Sequence, residues 1–262
     1  MSILLPPRWS LEGKKALVTG GTRGIGKAIA EELLLLGAEA VLIIARKKEE
    51  VAETVKEWQR EGFTAFGLAS DVGNSEHRRL IATWIEDNWQ YVDVLVNNVG
   101  TNLRKKTIDY TEEEYAFLLQ TNLTSVFEMS RLCYPLLKAA PKKPATVVNI
   151  ASVAGITHLR TGSVYAMCKA AMLQLTRNLA VEWATDGIRV NAVVPWYTNT
   201  PLAQQVLDNP QFLAEVLQRT PLGRIAEPHE VAAAVAFLCL PASGYITGQA
   251  LCADGGFSIF GF

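Results

Sequence analysis

Thr19-Gly20-Gly21-Thr22-Arg23-Gly24-Ile25-Gly26 lies between an apolar run at 15–19 and an amphipathic stretch at 24–36, and it decides the fold. A strand that passes through a glycine loop straight into a helix is the opening unit of a parallel sheet. The glycines have a physical reason to be there. They let the backbone approach a pyrophosphate, while the helix N-terminus offers free N–H groups and the positive end of its dipole. Gly26 lets helix and strand pack closely. A plain glycine-rich turn would explain a lone triplet; its place after a strand and before a helix favours the phosphate reading.

The same alternation continues along the chain. Residues 40–45 read as a strand, 48–61 as a helix closed by Gly62, 64–69 as a strand, and 75–89 as a helix with Ser75 as N-cap. Residues 92–96 are a fourth strand, and Thr111-Glu-Glu-Glu114 is a capping box opening one long helix that ends before Pro141. Strand 146–151, helix 163–185 and strand 188–194 follow. Helical stretches near 202–219 and 228–240 precede a last strand near 249–253. Strands that are apolar throughout and separated by helices specify an α/β, single-domain, Rossmann-type doubly wound parallel sheet flanked by helices on both faces. Motifs spread from Thr19 to Phe257 make residues 1–262 one domain, with 199–219 as a lid segment.

Composition narrows the function. Of 262 residues, 49% are apolar and 19% charged, too hydrophobic for a disordered chain. Lys+Arg 25 against Asp+Glu 26 leaves a net charge of -1, which gives no chain-wide field for nucleic acid or an anionic membrane surface. No run approaches the ~18 apolar residues of a membrane span. The expectation is therefore no nucleic acid and no membrane partner. Cys133, Cys168, Cys239 and Cys252 show neither metal-site spacing nor a disulfide framework, so no metal and a reducing, cytoplasmic setting are expected. Residues 1–8 are too short an apolar run, broken by prolines, for a signal segment.

The second strand ends Ile43-Ile44-Ala45-Arg46-Lys47-Lys48. A site for NAD needs a carboxylate there for the ribose hydroxyls. Ala45 stands in its place, and Arg46 with Arg23 offers the guanidinium fork that suits a 2′-phosphate. The expected cofactor is NADPH/NADP+.

The fifth strand runs into Asn149-Ile-Ala-Ser152-Val-Ala-Gly155, followed by Tyr165-Ala-Met-Cys-Lys169. Tyr165 and Lys169, at i and i+4, share a helix face. A cation beside a phenol lowers its pKa from about 10, making it an acid or base near neutrality. A snorkelling surface pair has the same spacing. The strand-end Ser152 and the upstream glycine loop favour the catalytic reading.

With these residues the chain resembles the short-chain dehydrogenase/reductase family over nearly its whole length. It is most similar to the tropinone-reductase-like branch, through Arg8-Trp9-Ser10-Leu11, Asn97 to Lys105, Pro195-Trp196-Tyr197 and Ala253-Asp-Gly-Gly-Phe257 to Gly261-Phe262. The resemblance implies Asn122, Ser152, Tyr165 and Lys169 as a catalytic tetrad. It assigns Gly20, Thr22, Arg23, Gly24, Ile25 and Gly26 to the cofactor motif and Asp71 with Val72 to adenine. Asn98, Val99 and Gly100 resemble the segment after the fourth strand, Val99 replacing the usual Ala. Pro195, Thr198 and Thr200 match positions beside the nicotinamide, and Trp196 stands where the family usually has Gly.

The implied activity is NADPH-dependent reduction of a small cyclic or apolar ketone to a secondary alcohol. Hydride comes from the nicotinamide and the proton from Tyr165. Ser152 holds the developing alkoxide, Lys169 binds the ribose and lowers the Tyr165 pKa, and Asn122 positions a water. The expected pocket is Ser152, Ala154, Ile156, His158, Tyr165, Trp196, Tyr197 and Leu202, with Asp208 as an acid that could reach in; His158 reads either as a substrate-orienting residue or, by preference, as an ordinary half-buried loop histidine. A 3-oxoacyl-carrier-protein reductase would share the core motifs and need a basic entrance, which Arg104, Lys105 and Lys106 could supply. A non-catalytic dinucleotide-binding protein would have let the tetrad decay. Long helices at 111–140 and 163–186, apolar on more than one face, imply by resemblance a homodimer or homotetramer.

Overall fold

The strands β1 (Lys15–Thr19), β2 (Ala40–Ala45), β3 (Ala65–Ala69), β4 (Val94–Asn97), β5 (Ala145–Ile150), β6 (Ile188–Pro195) and β7 (Ala250–Ala253) form one sheet, all parallel, in the order β3-β2-β1-β4-β5-β6-β7. The computed structural model describes residues 6–261. The N-terminal reading at residues 1–5 and the closing Phe262 lie outside the described residues.

Val18, Val41 and Ile43 bury one face of the sheet against α1 (Gly24–Leu35), α2 (Lys48–Arg60) and, across Val231 and Val235, a C-terminal helix at Pro228–Cys239. Leu17, Leu42 and Leu95 bury the other against α3 (Ser75–Trp89), α5 (Ser125–Lys138) and α6 (Ser163–Glu182). Two buried faces are why the strands are so apolar, although β5 buries Thr146 and Asn149 and β6 buries Arg189 and Asn191. The chain order reverses between β1 and β4, the switch point that opens a crevice beyond the strands' carboxyl ends. Among the described residues, no helix is long and apolar enough to cross a membrane.

Three local expectations change. Asn74, not Ser75, caps α3: its Oδ1 accepts from the N–H groups of Glu76 at 2.8 Å and His77 at 3.2 Å. The capping box at Thr111 and Glu114 is present, but the helix it opens is not continuous. α4 (Glu112–Leu119) passes into a π-helical turn over Gln120–Thr124 before α5 resumes. The segment after β6 folds as two short helices, α7 (Pro201–Leu207) and α8 (Pro210–Gln218), capped by Thr200 and Asn209. They close over a small core of their own around Ala203, Leu207 and Val216. The C-terminal helix is therefore α9.

Candidate active site

The glycine loop is held from the neighbouring strand. Asn98, just past β4, donates from Nδ2 to the carbonyls of Thr19 at 2.9 Å and Gly20 at 3.3 Å, and its N–H donates to Thr19 Oγ1 at 2.9 Å. Gly26 sits so close beneath this clamp that an added Cβ would meet Gly20 O at 2.1 Å and Asn98 Nδ2 at 2.3 Å. Gly20 takes a φ of 73°, open to glycine alone at little cost. α1 then starts with no side-chain cap at Arg23 and no acid in its first turn, leaving its leading N–H groups for a ligand. Backbone this bare and this close, at an uncapped helix N-terminus, fits a dinucleotide pyrophosphate.

The adenosine end is equally built. Asp71 Oδ1 accepts from Gly73 N–H at 2.8 Å, and its own N–H donates to His77 Nδ1 at 3.0 Å. Buried Arg78 donates to the Val72 carbonyl at 2.7 Å. Around the β2 end stand Ala45, Arg46 and Arg23. Glu50, which sequence reasoning passed over, also lines this end. Its carboxyl lies below the usual carboxylate range because Lys47 bonds it at 2.6 Å, with Arg23 and Thr22 adding to the effect.

At the other end, Lys169 is buried at 2% exposure and donates to the Ile150 carbonyl at 2.7 Å. Burial brings its pKa down to about 8. Tyr165 departs from expectation: burial pushes its phenol up, with the Ser152 hydroxyl and the Arg104 charge pulling the other way. The phenol's own burial outweighs these, with Lys169 Nζ standing 5.6 Å from the Tyr165 ring centroid. Ser152 Oγ accepts from Ala154 N–H at 3.1 Å.

Asn122 stands behind this group in the π-helical turn, fully buried. Its Oδ1 accepts from Thr101 N–H at 2.9 Å and its Nδ2 donates to Leu118 O at 2.8 Å. A Cβ at Gly100 would lie 3.3 Å from Asn122 Oδ1 and 3.5 Å from Lys169 Nζ, so the three residues are neighbours. Asn122 clamps the loop after β4 to the helix turn instead of facing the cavity. Below it runs a buried ladder absent from the sequence reading. Asn97 Nδ2 donates to Asn149 Oδ1 at 2.9 Å and Ser130 Oγ at 3.1 Å, and Asn149 Nδ2 to Thr176 Oγ1 at 2.9 Å. It ties the ends of β4 and β5 to α5 and α6.

One cavity of about 500 Å³ joins the two ends. It takes in every expected cofactor residue from Gly20 to Thr200, together with Ser152, Ala154, Tyr165, Lys169, Trp196, Tyr197 and Leu202. Ile156 and His158 do not line it. The short turn at Val153–Gly155 ends before them and both are exposed, while Leu159 and Thr161 of the same loop face in. Asp208 caps the end of α7 on the surface and is likewise outside. Trp196 needs no special backbone, since Gln90 is the one described non-glycine residue with positive φ. It stacks on Phe257 at 3.8 Å between ring centroids and donates to Thr220 Oγ1 at 3.0 Å, walling off a second cavity of about 490 Å³. The run Arg104-Lys105-Lys106 is not one basic face: Lys105 pairs with Glu114 at 2.5 Å, whereas Arg104 lines the cavity.

A dinucleotide cradle at the switch point, open to a serine, a tyrosine and a buried lysine, belongs to an oxidoreductase acting on CH–OH and C=O groups. The comparisons agree. A family model described as enoyl-(acyl carrier protein) reductase matches residues 20–258. A chloroplastic tropinone reductase homologue of Arabidopsis thaliana is 50% identical over 100% of this chain and 81% of its own. Gluconate 5-dehydrogenase of Burkholderia cenocepacia, solved with NADP and tartrate, superposes with a TM-score of 0.92 at 31% identity, covering 97% of this chain and 99% of that one. The Pseudomonas aeruginosa RhlG complex with NADP gives 0.90 at 36% identity, covering 97% and 100%. The chain belongs to the short-chain dehydrogenase/reductase family, in its tropinone-reductase-like branch.

Proposed function

We propose that the protein is an NADPH-dependent carbonyl reductase that converts a small ketone to a secondary alcohol. The carrying observation is the single cavity that joins the glycine cradle and the Arg23–Arg46 end to Ser152, Tyr165 and Lys169. Gly20 to Gly26 with Asn98 hold the pyrophosphate, Asp71 and Val72 the adenine, and Arg23 and Arg46 the 2′-phosphate. NADP in the Burkholderia and Pseudomonas neighbours supports that choice. When bound, the reduced nicotinamide supplies hydride to the carbonyl carbon.

The chain's own residues do the rest. Ser152 takes Ala154 N–H at its oxygen, which leaves the hydroxyl proton for the substrate oxygen. Tyr165, kept protonated by burial, gives its proton to that oxygen. Lys169, steadied on Ile150, faces the cavity as the ribose anchor. α7 contributes Leu202, Ala203 and Gln205 to the wall and serves as the lid. A carrier-protein substrate is disfavoured because Lys105 is engaged by Glu114 and Arg104 is turned inward.

Exposed Phe127 and Val181 on α5 and α6 support assembly as a homodimer or homotetramer, to be read by sedimentation. The cysteines, three of them buried thiols, suit a cytoplasmic setting, which cell fractionation would check against the chloroplastic relative. The deciding experiment is a ketone panel followed by NADPH oxidation, with NADH alongside. Turnover with NADPH and little with NADH is expected. Equal use of both cofactors overturns the NADPH assignment, and turnover of no ketone overturns the reductase.

A further inference from the structure

The catalytic end of the cavity carries a cation with no acid to match it. Arg104 lines the wall with Tyr165 and Tyr197, and its Nε is buried with no hydrogen-bond partner among the described residues. Its charge pulls the pKa values of both phenols down against burial, and it lies within hydrogen-bonding reach of the Tyr197 hydroxyl. Asn102, two residues earlier, donates from Nδ2 to the Thr161 carbonyl at 2.8 Å and leaves its own buried Oδ1 unpaired in the same cavity. Arg104 itself is half-buried, but folded chains rarely leave buried polar atoms such as its Nε and Asn102 Oδ1 without partners.

Among the described residues, no carboxylate at this end of the cavity faces Arg104. The carboxylates that line the cavity, Glu50 and Asp71, stand at the adenosine end, where Lys47 holds Glu50 and Gly73 N–H holds Asp71. The other cations around the catalytic end are accounted for. Lys105 is paired with Glu114, Arg160 with Glu215, and Lys169 donates to Ile150. Arg104 reaches the Tyr197 hydroxyl but meets no carboxylate among the described residues, so its charge is left to the space where a substrate sits.

We propose that Arg104 anchors a carboxylate on the substrate, so that this site takes oxo acids in preference to neutral or amine-bearing ketones. The guanidinium fork matches a carboxylate in two parallel hydrogen bonds. It fixes one end of the molecule while the carbonyl lies against Ser152 and Tyr165. Asn102 Oδ1 is free to accept from a hydroxyl on the same substrate. A protonated amine meets repulsion here, with no acid to offset it. The assignment rests on the carbonyl-reductase reading above and names its substrate class.

The test compares 4-oxocyclohexane-1-carboxylate with its methyl ester, both with NADPH. Wild type is expected to favour the acid by ~10–100-fold in kcat/KM, the worth of a charge-assisted contact. Arg104→Gln is expected to slow the acid by a similar ~10–100-fold while moving the ester less than ~3-fold. Arg104→Lys, a point charge without the fork, should fall between and guards against a folding defect in the first variant. A wild type that does not prefer the acid overturns the assignment. So does an Arg104→Gln variant that slows both substrates alike, the mark of a structural role. If neither ketone turns over, the reductase reading fails separately. Calorimetry with the NADP+-saturated chain then decides the anchor: cyclohexanecarboxylate binding that the carboxamide lacks, and that Arg104→Gln abolishes, supports it, and any other pattern overturns it.

Discussion

Lys169 Nζ donates to the carbonyl oxygen of Ile150 at 2.7 Å, joining the middle of α6 to the last residue of β5. That bond fixes the strand end that leads into Ser152 and orients the helix face that presents Tyr165. It also holds an ammonium at 2% exposure, where burial brings its pKa from 10.5 to about 8.

The first prediction follows from linkage. Between pH about 8 and 10.5 the unfolded chain still binds the Lys169 proton and the folded chain has released it. More protons on the unfolded state means that stability rises with pH across that window, and the burial penalty is full below it. Without cofactor, wild type should gain about 3 kcal/mol relative to Lys169→Met between pH 7 and pH 10.5. Denaturant unfolding of both chains at the two pH values measures this, and a pH-independent difference would refute it. Packing changes in the variant cancel, because only the slope is compared.

In the proposed mechanism, Tyr165→Phe removes the proton donor and little else. General acid catalysis contributes ~10²–10⁴, so kcat should drop by that factor. Ser152 Oγ keeps its bond from Ala154 N–H, and the glycine cradle lies away from the phenol. NADPH affinity, by fluorescence titration, should therefore stay within ~3-fold. Near-normal turnover would remove Tyr165 from the chemistry.

The fold was legible because both sheet faces are buried, which makes β1, β2, β4, β5 and β6 mostly apolar runs set between amphipathic helices. The site was legible where residue type and local order suffice, as in the glycine loop and the Tyr165–Lys169 pair. It was hidden where tertiary bonds decide. Nothing in residues 111–124 breaks a helix in propensity terms; the π-helical turn arises with Asn122 bonded to Thr101 and Leu118. Arg104 and Lys105 look like one solvated charge run, yet successive side chains of an irregular segment go opposite ways, one into the cavity and one to Glu114. The sign of the Tyr165 shift was hidden because spacing shows that a lysine is near, but not that the phenol itself is buried.

Gly26→Ala tests the cradle. Its Cβ would meet Gly20 O and Asn98 Nδ2 at 2.1 and 2.3 Å, contacts that real structures do not tolerate. The Asn98 clamp on Thr19 and Gly20 must open, displacing the loop from the helix N-terminus. NADPH should bind at least ~10-fold more weakly, since a misplaced loop loses more than one hydrogen bond to the phosphates. The melting temperature should fall as well. Gly62→Ala is the control, because a Cβ there meets nothing within 4 Å and only its φ of 90° is strained. It should cost stability and leave NADPH affinity alone. Unchanged affinity in Gly26→Ala would place the pyrophosphate elsewhere.

Cofactor choice should turn on Arg46 and Glu50 in opposite directions. Arg46 is exposed at the end of β2, where an ordinary surface ion pair is worth little. A phosphate is different, because the guanidinium can grip two of its oxygens. Arg46→Ala should raise the KM for NADPH ~10–100-fold and leave that for NADH nearly unchanged. Glu50 opposes the phosphate, being held as a carboxylate by Lys47 and close to Thr22 and Arg23. Glu50→Gln removes that repulsion and frees Lys47, so NADPH should bind ~2–5-fold more tightly and NADH no better, as expected for charges partly screened by solvent. Raising the salt should shrink both effects. If Arg46→Ala weakens NADPH and NADH by the same factor, the β2 end does not read the 2′-phosphate, and the preference must come from Arg23 alone.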